Sequence, residues 1–586
     1  MGDNFSAKKA AVIFTTAAVA VSAVVGADAA EIDENYVAVG SPAAESELYD
    51  AVKKGSLIVS EDSGVQITKN THQGTVLHSS GLLPSSYKSE VTSVKNQGEH
   101  GTCWAFGSTS ALEAFLIKDG KGVHDLSENH LAWWGTSQYN TDGFGWQNNT
   151  IDSGGFAAIA LGYYMSWQGP ATENEVPYDG SNTNTLPSNM DTASIPYNVT
   201  GAMYLSGDVE TIKNAVYRYG GVNSSYNDDQ IYMSEYNGCK NFYYPPLEHG
   251  INNLDYPVNY YGHAVCIVGW DDNYPKEAFN NTPENDGAWL VKNSWGDWWS
   301  DGGYFWMSYE DYFLNMENVM GFGFAITDVR TNNPYDIIYQ NEDDGVTNSI
   351  GIYNGYDGLY YPDVTYISKF NFDGQHNIME KVIFETESAD ANYTVYYIPS
   401  VNGEPSSDTA SWTVLNSGVI EYSGYQSIDI KNFTLPEGEA FIGVQIDMSR
   451  FSRDERNIAA RIGVAETMYN SDNNVVMRPN VQEGEGYYYL NGKIGDLTTI
   501  YAYPESRVGK LSFKVIATTN RLGDIDNDGD ILLKDAQRVQ KMSIGIDSDT
   551  YTDNAMINAD VNLDGKITLK DASLIQKRAL DIISDF

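Results

Sequence analysis

The chain has 586 residues and carries 79 Asp and Glu against 35 Lys and Arg, a net charge of −44. This length exceeds what one hydrophobic core organises, and the charge argues against nucleic acid or an anionic membrane surface as a partner. Its three cysteines, Cys103, Cys239 and Cys266, are too few to staple a secreted protein of this size, so stability has to come from burial and from cations held by acidic loops.

The N-terminus has the pattern of an export signal. Lys8 and Lys9 precede an apolar run from Ala10 to Val25, followed by Ala27-Asp28-Ala29, a small-x-small cleavage pattern. The run is short and alanine-rich for a membrane span. Residues 1–29 are therefore expected to be a signal peptide, and the mature protein to be secreted and extracellular. Residues 30–82 are acidic with weak periodicity and read as a lead-in or short propeptide. From Leu83 to Phe324 the chain is rich in Trp, Gly and Tyr, with helical patterns first and strand patterns later.

In Asn96-Gln97-Gly98-Glu99-His100-Gly101-Thr102-Cys103-Trp104-Ala105-Phe106 a lone thiol leads an apolar, helix-prone stretch. The first turn of a helix favours the thiolate, which is the nucleophilic form. A buried structural cysteine is the other reading of these residues alone. Farther on, Gly262-His263-Ala264-Val265-Cys266-Ile267-Val268 reads as a strand led by a histidine. Trp289-Leu290-Val291-Lys292-Asn293-Ser294-Trp295 reads as a second strand ending at an asparagine.

With Leu126-Ser127-Glu128, Ser153-Gly154-Gly155, Val176-Pro177-Tyr178 and Gly303-Tyr304-Phe305 in order, the region 83–324 resembles a papain-like cysteine peptidase. The resemblance implies an α+β fold of two lobes, one helical and one β-barrel-like. It implies Cys103 as nucleophile, His263 as its base, Asn293 as the residue orienting the imidazole, and Gln97 as the side-chain donor of an oxyanion hole. Gly154 and Gly155 would present bare backbone to an extended substrate, Ala264 would line a side-chain pocket, and Trp295 would shield the His–Asn hydrogen bond. No cofactor is expected for this chemistry. The sequence departs from the family in placing His100 where the signature has a second Cys, and in long Tyr-, Asn- and Asp-rich inserts near 226–260 and 272–287. It also lacks an evident long helical prodomain. Cys266 reads as core.

Residues 327–517 contain short strand-like runs, such as Tyr393–Ile398 and Ala440–Ile446, separated by turn-forming residues, the spacing of a β-sandwich. Their position, and Asn333-Pro334-Tyr335-Asp336 near their start, resemble the lectin-like domain that follows some surface peptidases. Carbohydrate binding and a structural spacer are both open readings.

Residues 521–586 hold two acidic loops in identical register, Asp524-Ile525-Asp526-Asn527-Asp528-Gly529 and Asp560-Val561-Asn562-Leu563-Asp564-Gly565. Calcium loops take oxygen ligands at positions 1, 3, 5, 7 and 12. This assigns Asp524, Asp526, Asp528, the carbonyl of Asp530, and Asp535 to one ion. Asp560, Asn562, Asp564, the carbonyl of Lys566, and Asp571 go to the second. Ile531 and Ile567 would pack across the pair. An Asp at position 12 and one apparent helix per loop resemble a type I dockerin, a small helical module that binds a cohesin domain of a scaffoldin in cellulosome-like complexes. In that family Leu533-Lys534, Leu569-Lys570 and the basic residues Arg538, Lys541, Lys577 and Arg578 would face the partner. The whole reads as a cysteine endopeptidase acting on protein or peptide substrates and carried on an extracellular scaffold or cell surface. The alternative is a catalytically silent, peptidase-like binding or structural subunit of the same assembly.

Overall fold

The computed structural model describes residues 57–58, 65–70 and 83–586, less 148, 179–184, 206, 247–261, 316–322, 343–344, 355–359, 432, 452–458, 470–474, 498–500, 504–505, 508–509, 527, 547–550 and 584–585. The expected signal peptide and most of the lead-in lie outside the described residues.

The helix Cys103–Lys118 starts at the candidate nucleophile and is buried from Trp104 to Leu116. Small and apolar residues occupy all its faces, and a helix apolar all round sits inside a protein. Glu128–Trp134 and Ala157–Met165 pack beside it, the first capped by Ser127, whose Oγ accepts from the His130 amide at 3.0 Å. Trp133, Trp134, Trp146, Tyr163 and Tyr164 fill this helical lobe.

The second lobe is a sheet in which Val222–Asn227, Gly262–Asp271, Ala288–Lys292 and Tyr304–Ser308 are successive antiparallel neighbours. Part of the first Tyr-rich insert belongs to this sheet. Met233–Tyr236 and Cys239–Phe242 form a hairpin whose second strand runs parallel to Tyr304–Ser308. The helix meets the sheet closely at Gly107, where an added Cβ would lie 3.2 Å from the Val265 backbone.

The same sheet continues into the following region. Gly323–Thr331 pairs along its length with Tyr197–Leu205, which pairs at Ala202 and Met203 with Gly424–Asp429. Gly424, at φ +124°, makes this junction: a Cβ there would sit 2.3 Å from the Ala202 carbonyl oxygen. Beyond it lie Ile378–Thr386 and Phe513–Thr518, giving 13 strands among the described residues. A second sheet of Asn392–Val401, Gly438–Asp447, Asp363–Phe372 and Gly486–Leu490 packs across from it. Tyr366, Phe370, Phe384, Val444, Ile446 and Phe513 fill the space between. Each large apolar side chain buried in this way contributes roughly 1.5–3 kcal/mol.

An ion pair lies buried in this region. Lys514 Nζ and Glu342 Oε2 form a 3.2 Å ion pair with both side chains 1% exposed, and Lys514 also donates to Gln340 Oε1 at 2.9 Å. The lead-in strand Val65–Asn70 pairs antiparallel with Asn348–Asn354, from Val65 opposite Asn354 to Asn70 opposite Ser349. On its far side Asn348–Asn354 continues to Arg461–Ala465.

The C-terminal region has helices Leu533–Ser543, Asp553–Ala559 and Leu569–Ala579. The middle helix is additional to the one helix per loop expected from sequence, and Thr552 Oγ1 caps it by accepting from the Ala555 amide at 3.1 Å. Val539, Ala555, Ala559 and Ile575 form the core, with Ile531 and Ile567 packed against it. Arg521 ties this region to the sandwich, donating to Glu380 Oε1 at 2.7 Å and to the Gly529 carbonyl at 2.9 Å.

Candidate active site

Helix Cys103–Lys118, which begins at the thiol, packs against the strand Gly262–Asp271, which carries His263. The approach is close: a Cβ on Gly107, four residues after Cys103, would lie 3.2 Å from the backbone of Val265, two residues after His263. The His263 ring donates from Nε2 to Asn293 Oδ1 at 2.7 Å, and the Ser294 amide donates to the same oxygen at 2.8 Å. The second donor identifies this atom as the amide oxygen, so Nε2 carries the proton and Nδ1 is the nitrogen available to a partner. Trp295 stacks on the imidazole with centroids 4.7 Å apart, and Tyr226, opposite His263 in the neighbouring strand, meets it edge-on at 5.7 Å.

Gln97 is held at both ends of its amide. Ser294 Oγ donates to its Oε1 at 2.6 Å, and its Nε2 donates to the His100 carbonyl at 2.9 Å. Tyr178 Oη donates to the Gln97 carbonyl at 2.8 Å and lies 2.8 Å from Thr102 Oγ1. The turn before the nucleophile is thus fixed to both lobes. Gly154, at φ +76°, faces open space, whereas a Cβ on Gly155 would lie 2.4 Å from the Trp104 ring. Ala264 is half-buried and lines a small polar cavity with Asn293 and Ser294.

Burial disfavours both charged forms, pushing the Cys103 thiol up and the His263 imidazole down to about 4. A proton passing from sulfur to ring would create two opposite charges together, whose attraction would offset part of the desolvation that each suffers alone. Burial also pushes Asp228 up to about 7; it accepts from Tyr226 Oη at 3.0 Å, and its charge bears on Cys103. Asp228 and Tyr226 were not singled out from sequence. The signal that finds them is the register of Val222–Asn227 against the histidine strand.

The other two cysteines stand apart from this arrangement. Cys266 is fully buried among Ala111, Val268 and Leu290. Cys239 is a buried free thiol near Ser300 Oγ, at 3.7 Å.

Residues 84–322 match the papain family of cysteine proteases, and residues 338–506 match the lectin-like domain family. The cysteine protease and lectin-like domains of Cwp84, a surface layer associated protein of Clostridium difficile, superpose with a TM-score of 0.63 at 33% identity, covering 77% of this chain and 91% of that one. The chain belongs to the papain family of cysteine proteases. Its papain-family fold is followed by a β-rich, lectin-like region, as the Cwp84 likeness spans both. Among curated relatives, a cysteine protease of Blomia tropicalis is 29% identical over 237 residues, covering 39% of this chain and 62% of the relative. A cathepsin L-like peptidase of Aedes aegypti is 32% identical over 228 residues, covering 37% and 55%. The chain thus spans about three-fifths or less of the length of these curated relatives.

The acidic loops near the C-terminus share most of their hydrogen bonds. Asp524 accepts from the amides of Asp528 and Gly529, and Asp560 from those of Asp564 and Gly565. Asp535 accepts from Ile525 and Leu532, and Asp571 from Asn562 and Thr568. In the first loop, oxygens of Asp524, Asp526 and Asp528 lie within 4.8 Å of one another, and Asp526 Oδ1 is buried without a hydrogen-bond partner. An orphaned carboxylate oxygen among converging carboxylates fits a hard divalent cation. Lys534, part-exposed, pairs with Asp526 at 3.2 Å and with Asp528, and Arg538 also pairs with Asp526. Asp530 and Lys566 follow the turns, their amides donating to Asp528 and Asp564.

Proposed function

We propose that this chain hydrolyses peptide bonds as a cysteine endopeptidase. The observation that carries the reading is the His263–Asn293 hydrogen bond on a sheet that packs closely against the helix beginning at Cys103. In this reading His263 Nδ1 takes the Cys103 proton and the sulfur attacks a substrate carbonyl. The oxyanion accepts from the Cys103 amide and from the Gln97 N–H that does not bond to His100. His263 then gives its proton to the leaving amine, and water, activated by the same ring, releases the acyl group from sulfur. Asn293 holds the ring, Trp295 shelters it, and Gly154 offers backbone to an extended peptide. A thiol-directed irreversible inhibitor and a peptide library test this: labelling and cleavage by wild type but not by Cys103→Ser are expected. An unlabelled, inert wild type would favour the binding-subunit reading.

Activity is expected to be bell-shaped in pH, because the active pair carries one proton in total. A second proton enters His263 with a pKa of about 4, so the acid limb falls below the ordinary imidazole range. The alkaline limb, loss of the last proton, lies above the ordinary thiol range, because burial pushes Cys103 up. Measuring kcat/KM against pH tests this, and an acid limb at or above 6.5, the ordinary value for an unperturbed imidazole, would contradict it.

The two acidic loops support a dockerin reading, in which each copy binds calcium and the module docks on a cohesin of an extracellular scaffold. Asp524, Asp526, Asp528, Asp535 and the Asp530 carbonyl would hold one ion, and Asp560, Asn562, Asp564, Asp571 and the Lys566 carbonyl the other. The ions would supply charge neutralisation that cross-links each loop. Chelation is expected to unfold residues 521–586 at lower denaturant, by about 4 kcal/mol for each bound ion relative to calcium at a thousand times its Kd. Small-peptide hydrolysis should persist. Calorimetry with and without EDTA reads the first outcome and a fluorogenic peptide the second; an unchanged C-terminal transition would remove calcium from the account. That Cwp84 is surface layer associated supports a cell-surface setting here, with the lectin-like region contributing a carbohydrate contact.

A further inference from the structure

We infer that His100 and Asp152 form a positioning clamp that holds the oxyanion donor and the nucleophile turn against the glycine ledge where a substrate backbone would lie. The inference rests on the peptidase reading above and extends it to two residues that take no part in bond making.

His100 Nδ1 lies 2.8 Å from Asp152 Oδ1, a contact across 52 residues of sequence. The His100 side chain is 17% exposed and that of Asp152 49%. An N–H donating to a carboxylate is available to the imidazole in its neutral and its charged form, so the contact does not depend on one protonation state.

Each partner is attached to part of the candidate site. The His100 carbonyl accepts from Gln97 Nε2 at 2.9 Å and from the Thr102 amide at 2.8 Å, so movement of this residue moves both the oxyanion donor and the start of the nucleophile helix. Asp152 is two residues before Gly154 and three before Gly155. The two segments also touch through backbone alone. A Cβ on Gly101 would lie 2.8 Å from the Asp152 carbonyl and 3.1 Å from the Gly154 amide, and a Cβ on Gly155 would strike Trp104. Bare glycines let the segments approach but leave no side chain to stop them sliding. The imidazole–carboxylate contact supplies that restraint at the position where the family signature has a cysteine.

A partly exposed pair of this kind contributes little to global stability, about 0.2–1 kcal/mol. Its effect should instead appear in catalysis, where misplacing a reacting group by about 1 Å costs on the order of a hundredfold.

The test is steady-state kinetics on a fluorogenic peptide with the full chain, normalised by active-site titration. The variants are His100→Ala, Asp152→Ala, the milder Asp152→Asn, and the double His100→Ala/Asp152→Ala. Each single alanine variant is expected to lower kcat by about tenfold and raise KM severalfold. The double variant should be no worse than either single one, because both remove the same link. Melting midpoints should stay near wild type. Single variants within twofold of wild type, or effects that multiply in the double variant, would overturn the clamp. An inactive wild type would instead overturn the peptidase reading on which it rests.

Discussion

Cys103→Ala is expected to lower kcat/KM for a peptide substrate by about 10⁴-fold or more, with the unfolding midpoint unchanged. Sulfur is the only nucleophile that the site offers at this position. Its removal leaves His263 bonded to Asn293 and Gln97 bonded to Ser294, so the site keeps its shape without the attacking atom. Alanine is the best helix former and suits the first turn of Cys103–Lys118. Hydrolysis of a fluorogenic peptide, paired with a thermal melt, checks both parts. A variant that turns over at the wild-type rate would transfer the chemistry to another group.

Lys514→Ala should destabilise the sandwich by roughly 3–5 kcal/mol, because it strands Glu342 in the interior. Both side chains of that pair are 1% exposed, and Ser512 Oγ and the Gly345 amide also donate to the Glu342 carboxyl. Those donors satisfy part of the carboxylate but supply no full positive charge. Replacing both partners, as Lys514→Met with Glu342→Gln, should recover most of the loss, since it removes the buried charges together. Equilibrium urea unfolding of wild type, Lys514→Ala and the double variant measures this, and a Lys514→Ala variant within 1 kcal/mol of wild type would contradict it.

Much of the candidate site is legible in the sequence because its residues sit in locally distinctive segments. Cys103 leads an apolar helix, while His263 leads an apolar strand and Asn293 closes one. The paired acidic loops are equally local, and their turn hydrogen bonds to Asp524 and Asp560 repeat as the residues do. What the sequence hides is non-local. Nothing near His100 points to Asp152, and nothing in the polar Asn223-Ser224-Ser225-Tyr226 says that it borders the histidine strand. The junction of Gly424 with Ala202 merges two regions that read as consecutive units, because strand pairing between distant segments leaves no trace in local periodicity. Lys514 breaks an otherwise apolar strand, so the alternation rule puts it in solvent; only the position of Glu342 explains why it is inside. The short helix Asp553–Ala559 is not legible in the sequence because seven residues carry little periodic signal.

The pairing of Val65–Asn70 with Asn348–Asn354 bears on how the molecule is made. Roughly 280 residues separate the two strands, so the earlier one leaves the ribosome long before its partner exists. The entropy of closing so large a loop grows only slowly with its length, but the wait does not shrink. During synthesis the edge of this strand away from Leu57–Ile58 stays unpaired while the peptidase lobes form, and it finds its neighbour only as the sandwich closes.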